Sequence, residues 1–473
     1  MTDQRITTAS GAGAHPRRWQ ALALLGVAQF MLILDVTVVA IALPHIGADL
    51  DLSRSALTWV VSAYTLAFGG LMLLGGRGAD LFGARGLVLA GLATFTAASL
   101  VVGLAGGAEV LIAGRVAQGV GAAMLSPAAL SVVVRLFEGE ERNKALGIWS
   151  ALGGSGAAVG VLLGGVLTAG PGWPWAFFVN VPVGVVIMVL LPRMLPPLPR
   201  PEGVRPRLDV PGALLVTGAT GVGIYALINA GDRGWGATST LGLAVAAVVL
   251  YLVFGAWQRA AKSPLMDLCL LLRRPVTAGT FVILTGTALM VAVFFLGSFY
   301  LQEYSGHGAL VTGLLFLPVA LATMAGAQTA GRVIGGLGGR RVGVAGMVIA
   351  AAGLVVPVFW AGTSAVVLGV SLAAAGIGSL FVVASATALG QVEPHQAGLA
   401  SGIVSTFHEF GASIGAAVVS SLAAVSLAGG TDAGFERAFT VSAVVALAAA
   451  VVTALLIPAH SSTATATGLS AGH

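Results

Sequence analysis

Three ionisable side chains, Asp35, Arg115 and Glu409, interrupt long apolar stretches of the sequence. Asp35 lies 17 residues after Arg18 and 14 before Asp49, about 25 Å and 21 Å along a helix. That position falls near the centre of a bilayer, where an ionised Asp costs roughly 2.5–3.5 kcal/mol on an insertion scale. It needs a wet cavity or a partner. A carboxyl there can carry a proton, neutral when loaded and charged when water reaches it; the alternative is a structural hydrogen bond to a neighbouring helix.

Arg115 is six residues from Glu109, roughly 9 Å, close enough for its side chain to snorkel to a membrane surface. Gln118, Gly119 and Ala122 follow at i+3, i+4 and i+7, a patch on one helix face. Glu409 lies 14 residues, about 21 Å, after His395. It is a candidate second proton site or a counter-charge for a cationic substrate. Gln118 and His408 are candidate cavity-lining groups. His408 projects about 100° away from Glu409 on a helix, which suits packing or an interhelical hydrogen bond better than a shared cavity. Glu303, with Gln302, reads as a solvated rim residue.

The surrounding composition explains why so few charges matter. Of 473 residues, 57% are hydrophobic and only 9% charged, against about 25% in a soluble domain. A soluble fold could not cover its surface with so few polar groups. A cytosolic enzyme, a secreted domain and a disordered chain are excluded together. A net charge of +5 points to cytoplasmic loops rather than to nucleic acid. The single cysteine, Cys269, rules out an intramolecular disulfide and a multi-Cys metal site.

Apolar runs long enough to span a bilayer occur at 20–46, 55–76, 86–106, 108–132, 144–170, 173–195, 210–230, 239–258, 275–303, 309–330, 341–361, 364–389, 397–426 and 436–458. With both termini cytoplasmic, 19 of the 23 basic residues fall on inner segments, 3 on outer loops, and Arg115 within a helix. That is a strong positive-inside bias. Residues 1–19 and 459–473 form polar tails, and the first helix lacks the features of a cleaved signal.

Gly-rich stretches recur at a nearly fixed offset. Gly75 to Arg85 resembles Gly331 to Arg340, at 256 and 255 residues; Gly119 and Gly121 match Gly376 and Gly378 at 257; Gly156 and Gly160 match Gly411 and Gly415 at 255. The chain therefore divides into two six-helix bundles, 20–195 and 263–458, flanking an inserted segment at 196–262 with two further helices. Parallel repeats of this kind place a substrate site at their interface near mid-membrane. Asp35 and Arg115 map to about Val291 and Leu372, and Glu409 to Gly153 or Gly154, so the ionisable groups are not duplicated.

Several motifs resemble the major facilitator superfamily, and within it the fourteen-helix drug:proton antiporters. They are Leu34-Asp35-Val36-Thr37-Val38-Val39 leading to Ala42-Leu43-Pro44; Arg115, Gln118, Gly119, Gly121 and Ala122; Trp175-Ala176-Phe177-Phe178-Val179-Asn180-Val181-Pro182-Val183-Gly184; and Leu208-Asp209-Val210-Pro211-Gly212-Ala213. Two stretches depart from the pattern. Leu81 and Ala84 stand where basic residues are common, and Val161 stands where the fifth-helix antiporter motif has proline.

The resemblance implies an all-α integral membrane protein of the major facilitator fold with 14 transmembrane helices. It also implies efflux of small amphipathic compounds such as antibiotics, dyes and lipophilic cations. Asp35 would carry the coupling proton, Arg115 would face the cavity and tune it, and Glu409 would assist. Asp80, Gly83 and Arg85 would latch a cytoplasmic turn to helix ends. Gly156, Gly160, Gly164 and Gly165 make a smooth strip for close helix packing, which needs no chemistry. No phosphate-binding Gly-x-x-x-x-Gly-Lys-[Ser/Thr] run is present. Energy is thus expected from a proton gradient, with no cofactor or metal, in a monomer in the cell membrane whose partners are its substrate, protons and lipid. A carrier dedicated to one metabolite, or a membrane receptor that binds without transporting, is the competing expectation.

Overall fold

A computed structural model describes residues 17–137, 139–195, 208–265, 268–390, 397–422 and 432–458. The expected tails, apart from 17–19, lie outside them, as do residues 196–207 of the expected linker. The side chain of Asp80 and the surroundings of Gly156 also lie outside what is described.

Fourteen long helices follow one another among the described residues, with no strand. They are α1 Arg18–Asp49, α2 Arg54–Phe82, α3 Ala84–Gly103, α4 Ala108–Leu136, α5 Gly139–Ala169, α6 Trp175–Met194 and α7 Val210–Arg233. The second seven are α8 Thr238–Ala260, α9 Arg274–Tyr304, α10 Ala309–Leu337, α11 Gly339–Phe359, α12 Thr363–Leu389, α13 Ala397–Leu422 and α14 Asp432–Leu456. Thirteen are long and apolar enough to cross a membrane, and the described apolar part of α5 is Val159–Ala169. Each falls on one of the apolar runs read from the sequence.

The helices outrun those apolar runs. α1 continues to Asp49 and α4 to Leu136, since helical turns keep backbone polar groups paired as the chain leaves hydrocarbon. Two helices are interrupted, α6 at Val179 and α10 at Phe316. In each case a proline follows, Pro182 or Pro318, with no N–H to offer the carbonyl four residues earlier.

The internal repeat is visible in the turns and in the packing. Gly83 (φ +90°) joins α2 to α3 and Gly338 (φ +79°) joins α10 to α11, both in the left-handed region that favours glycine. They are 255 residues apart (338 − 83). Gly91 of α3 sits against the Gly121 carbonyl of α4, and Gly346 of α11 sits against the Gly376 carbonyl of α12. The partner of Gly376 is therefore Gly121, not Gly119. In this frame Asp35 and Arg115 correspond to Met290 and Val370 rather than to Val291 and Leu372. Val370 is buried where Leu372 is exposed. The unduplicated chemistry stands.

The two bundles meet along α2 and α13 and along α1 and α9. The Thr58 hydroxyl donates to Ser420 Oγ (2.6 Å), Ser62 to the Ser413 carbonyl (3.2 Å), and Thr65 pairs with Ser413 Oγ (2.6 Å). Ser298 and Gln302 of α9 donate to the Ala40 and Ile41 carbonyls of α1, both at 3.0 Å. Gln302 is thus buried and bridges the bundles, unlike the solvated rim expected of it; Glu303 is exposed. These bonds lie between the middle of the bundle and the face where α1 ends. α5 and α10 also touch near that face, Gly165 against Ala309 and Gly313. Toward the opposite face, a Cβ on Gly331, Gly335 or Gly336 of α10 would meet nothing within 4 Å.

Asp209 fixes the inserted pair α7–α8. It caps α7 through the Gly212 N–H (2.9 Å) and accepts from Trp257 Nε1 (2.8 Å), Gln258 Nε2 (2.7 Å) and the Leu265 N–H (3.0 Å). Burial alone would raise its pKa, but the hydrogen bonds from Trp257, Gln258, Gly212 and Leu265 bring it below the usual aspartate value. A depressed folded pKa stabilises the fold above the usual aspartate range. That stabilisation is lost as pH falls through the lowered value.

Thermal unfolding in detergent should accordingly show a loss of stability below about pH 4, reduced in slope in Asp209→Asn. Loss of the cap in Asp209→Ala should cost about 1 kcal/mol at neutral pH. Gly121→Leu should force α3 from α4 and cost about 1–3 kcal/mol or more, read as a lower melting temperature. Gly86→Leu, where a Cβ meets nothing within 4 Å, should leave it unchanged.

Candidate functional site

Gly119 brings α4 directly onto α2: a Cβ there would lie 2.5 Å from the Tyr64 carbonyl oxygen. One turn earlier, Arg115 therefore reaches the Val60 carbonyl of α2 with its Nε (2.9 Å). Its Nη1 donates to Asp35 Oδ2 on α1 (2.5 Å) and to Gln118 Oε1 (2.9 Å). Gln118 Nε2 donates onward to Asp35 Oδ1 (3.2 Å) and to Ser99 Oγ of α3 (2.8 Å). Asn180 of α6 makes longer contacts to the same two oxygens, 3.4 and 3.5 Å. The Tyr64 ring centroid is 4.3 Å from the guanidinium carbon and that of Phe177 is 5.9 Å away, within cation–π range.

Asp35 and Gln118 are wholly buried and Arg115 is 1% exposed. Snorkelling of Arg115 to a membrane surface does not occur: its charge is neutralised inside the bundle. Gln118 does not line a cavity either; it serves both members of the pair. Removing one partner of a buried ion pair costs about 3–5 kcal/mol, whereas the intact pair contributes little net stability. What the pair does is hold α1, α2, α3, α4 and α6 in one arrangement around a titratable carboxyl.

Glu409 lies elsewhere. It is nearly buried on α13, its Cβ pressed against Gly69 of α2 at the junction of the bundles. Among the described residues its carboxylate has no hydrogen-bond or ion-pair partner. His408 turns the other way, its Nδ1 2.8 Å from Thr287 Oγ1 of α9 and its ring edge-on to Phe381. The two diverge as helix geometry requires. Arg85 reaches the Pro192 carbonyl near the end of α6 (3.1 Å), and Gly83 makes the turn before it. Gly160 and Gly164 pack on Thr37 and Val38 of α1, while Gly165 faces α10.

Sequence reasoning passed over Ser99, the Val60 carbonyl and Tyr64. Asn180 stood in a recognised motif but had no role. A lone Ser in an apolar helix and a backbone carbonyl carry no sequence signal, since small polar residues are common between membrane helices. Two cavities, about 650 Å³ beside Pro318 and Ser371 and about 340 Å³ beside Thr220 and Tyr251, touch neither acid.

Arg115→Ala should lower the unfolding free energy by about 3–5 kcal/mol. Asp35→Asn added to it should restore much of the loss. A double-mutant cycle read by thermal unfolding checks this coupling; additive losses would show that the pair is not energetically joined.

Comparison with known proteins identifies the family and the fold. The pattern described as Major Facilitator Superfamily matches residues 25–335. A puromycin resistance protein of Streptomyces alboniger is 37% identical, the alignment covering 88% of this chain and 84% of that one. A cephamycin export protein of Amycolatopsis lactamdurans is 36% identical over 92% of both. A multidrug resistance protein of Mycobacterium tuberculosis is 32% identical over 89% of this chain and 79% of that one. Among solved structures, a bacterial homologue of the human lysosomal transporter Spinster superposes with a TM-score of 0.64 at 16% identity, covering 94% of this chain and 98% of that one. A peptide transporter in complex with alafosfalin gives 0.67 at 15%, over 94% and 95%. From its helices, its repeat and these relatives, the chain is a multi-pass membrane protein and belongs to the major facilitator superfamily.

Proposed function

We propose that this chain exports small amphipathic organic molecules across the cell membrane in exchange for protons, as a monomer working by alternating access. The near full-length likeness to proteins named for antibiotic resistance and export is the observation that carries the export reading. The bias of basic residues supports cytoplasmic termini. On that orientation the face tied by Thr58, Ser62, Ser298 and Gln302 is the outer one.

Asp35 is the proton carrier in this reading. Paired with Arg115 it is a carboxylate that has given up its proton, which suits a transporter waiting for substrate on the inner side. Reloading from outside neutralises Asp35, dissolves the pair and loosens the contacts that hold α1, α2, α3, α4 and α6 together. The energy is that of the gradient, about 2.3 kcal/mol per charge per 100 mV. Glu409, at the junction of the bundles, is a second proton site or the counter-charge for a cationic substrate. Arg85 and Gly83 latch the α2–α3 turn, and the glycines of α5 provide the surface over which α1 and α10 pack.

Several relatives are named for one compound, puromycin or cephamycin, which favours a narrow substrate range as a second reading. A panel of antibiotics and dyes offered to inverted vesicles decides between broad and narrow transport. In the same vesicles, under an imposed pH gradient, Asp35→Asn should lose accumulation by several tens-fold, the value of about one charge moved across 100 mV. Full gradient-driven accumulation by Asp35→Asn would remove proton coupling through this residue.

A further inference from the structure

Several buried polar atoms among the described residues make no hydrogen bond, and most are Ser or Thr hydroxyls. Those can turn back onto a carbonyl of their own helix. Tyr64 cannot. Its hydroxyl stands at the far end of a rigid ring, the residue has no exposed surface, and the O–H has no partner. A buried donor left unmade is costly, and its placement needs a reason.

The surroundings supply one. The Tyr64 ring lies against the Arg115 guanidinium, 4.3 Å from centroid to carbon. The charges that act on its hydroxyl are Asp35 from α1, Arg115 from α4 and Glu409 from α13. Glu409 belongs to the second bundle, and its Cβ meets α2 at Gly69, five residues beyond Tyr64. Phe68, whose ring is 5.8 Å away, and Phe177 have no polar atom to offer. Tyr64 therefore offers a free donor within electrostatic reach of a carboxyl of each bundle.

We propose that Tyr64 is a positioning residue that couples the two carboxyls across the bundle junction, its O–H bonding to whichever of Asp35 and Glu409 is ionised and unclaimed. In the present arrangement Arg115 and Gln118 occupy Asp35, and the hydroxyl is left over. When Asp35 takes a proton it releases its hold on Arg115. The guanidinium keeps the Val60 carbonyl, Gln118 and the Tyr64 ring, and the Tyr64 hydroxyl is the neutral donor left to meet an ionised Glu409. A proton on one acid thereby opposes a proton on the other, a coupling free energy between two sites. No proton leaves Tyr64 in this scheme, and it rests on the proton-exchange reading above.

Tyr64→Phe keeps the ring against Arg115 and removes only the donor. In inverted vesicles it should retain energy-independent counterflow, which reports folding and substrate binding. Gradient-driven export should fall about tenfold, the scale of one hydrogen bond to a charged group, with a pH profile moved toward that of Glu409→Gln. Combining Tyr64→Phe with Glu409→Gln should be no worse than Glu409→Gln alone. A normal driven rate and pH profile for Tyr64→Phe, or independent multiplication of the two losses, overturns the coupling. Asp35→Asn in the same vesicles separates the failures. If it is inactive while Tyr64→Phe is normal, only the coupling falls; if both are normal, proton exchange through Asp35 falls with it.

Discussion

An unpaired charge cannot be left in hydrocarbon, and the first bundle is organised around that constraint. Asp35 and Arg115 sit with 0% and 1% exposure, so each must satisfy the other and every remaining donor or acceptor must find a partner nearby. Val60, Gln118, Ser99 and Asn180 supply those partners from four further positions on α2, α4, α3 and α6. A rearrangement within the bundle would strand one of the charges at a cost of about 3–5 kcal/mol. The ion pair thus holds the bundle in this one arrangement.

Packing within the bundles and packing between them differ in their share of hydroxyl bonds. Inside each bundle, glycines bring backbones together: Gly91 on Gly121, Gly346 on Gly376, Gly119 on Tyr64. Such contacts have no substitute in lipid or water and are lost outright if the helices part. Across the junction, hydroxyls are added to the glycine contacts of Gly69 and Gly165: Thr58 with Ser420, Thr65 with Ser413, Ser298 with the Ala40 carbonyl. A hydroxyl can exchange its partner for water or for its own helix carbonyl at small net cost. Where hydroxyls carry it, the junction can therefore part at less cost than the bundle interiors, as alternating access requires.

Much of this was legible in the sequence because lipid imposes a simple code. Fourteen apolar runs became fourteen helices, and the 255-residue repeat became matching turns at Gly83 and Gly338. Asp35, Arg115 and Glu409 stood out for the same reason, being charges where charges are expensive. The depth of Arg115 was not legible, since six residues from Glu109 suits both a snorkelled and an inward side chain. Rotation about the helix axis decides that, and it is set by Gly119 meeting α2. Gln302 was misplaced likewise: its position along α9 was right, but facing α1 it becomes a buried bridge. Tyr64 gave no sign at all, because an aromatic in an apolar helix is ordinary core until its hydroxyl is seen without a partner.

The inserted pair α7–α8 can be understood through α2. At the face where α1 ends, Arg54 of α2 pairs with Asp232 of α7 and donates to the Ser420 carbonyl of α13 (2.8 Å). At the opposite face, Arg77 of α2 donates to Ser263 Oγ (2.7 Å) and the Pro264 carbonyl, just past α8. Between them Gly70 lies against Thr217 of α7. With Asp209 locking α7 to α8 and to Leu265, the pair forms a stiff unit strapped to α2 at both ends. It is not a slack tether between the bundles. If α2 and α13 separate at the Arg54 face, the inserted pair must either follow α2, keeping Asp232 and giving up Ser420, or resist the motion. An exposed-side ion pair is worth less than a buried carbonyl bond to a guanidinium only when water replaces neither. At a parting junction water replaces both, but α7 also packs directly on α13, Gly231 against Ser421 as Gly70 of α2 is against Thr217. The inserted pair itself thus bridges the two bundles, and opening at this face must part α7 from one of them.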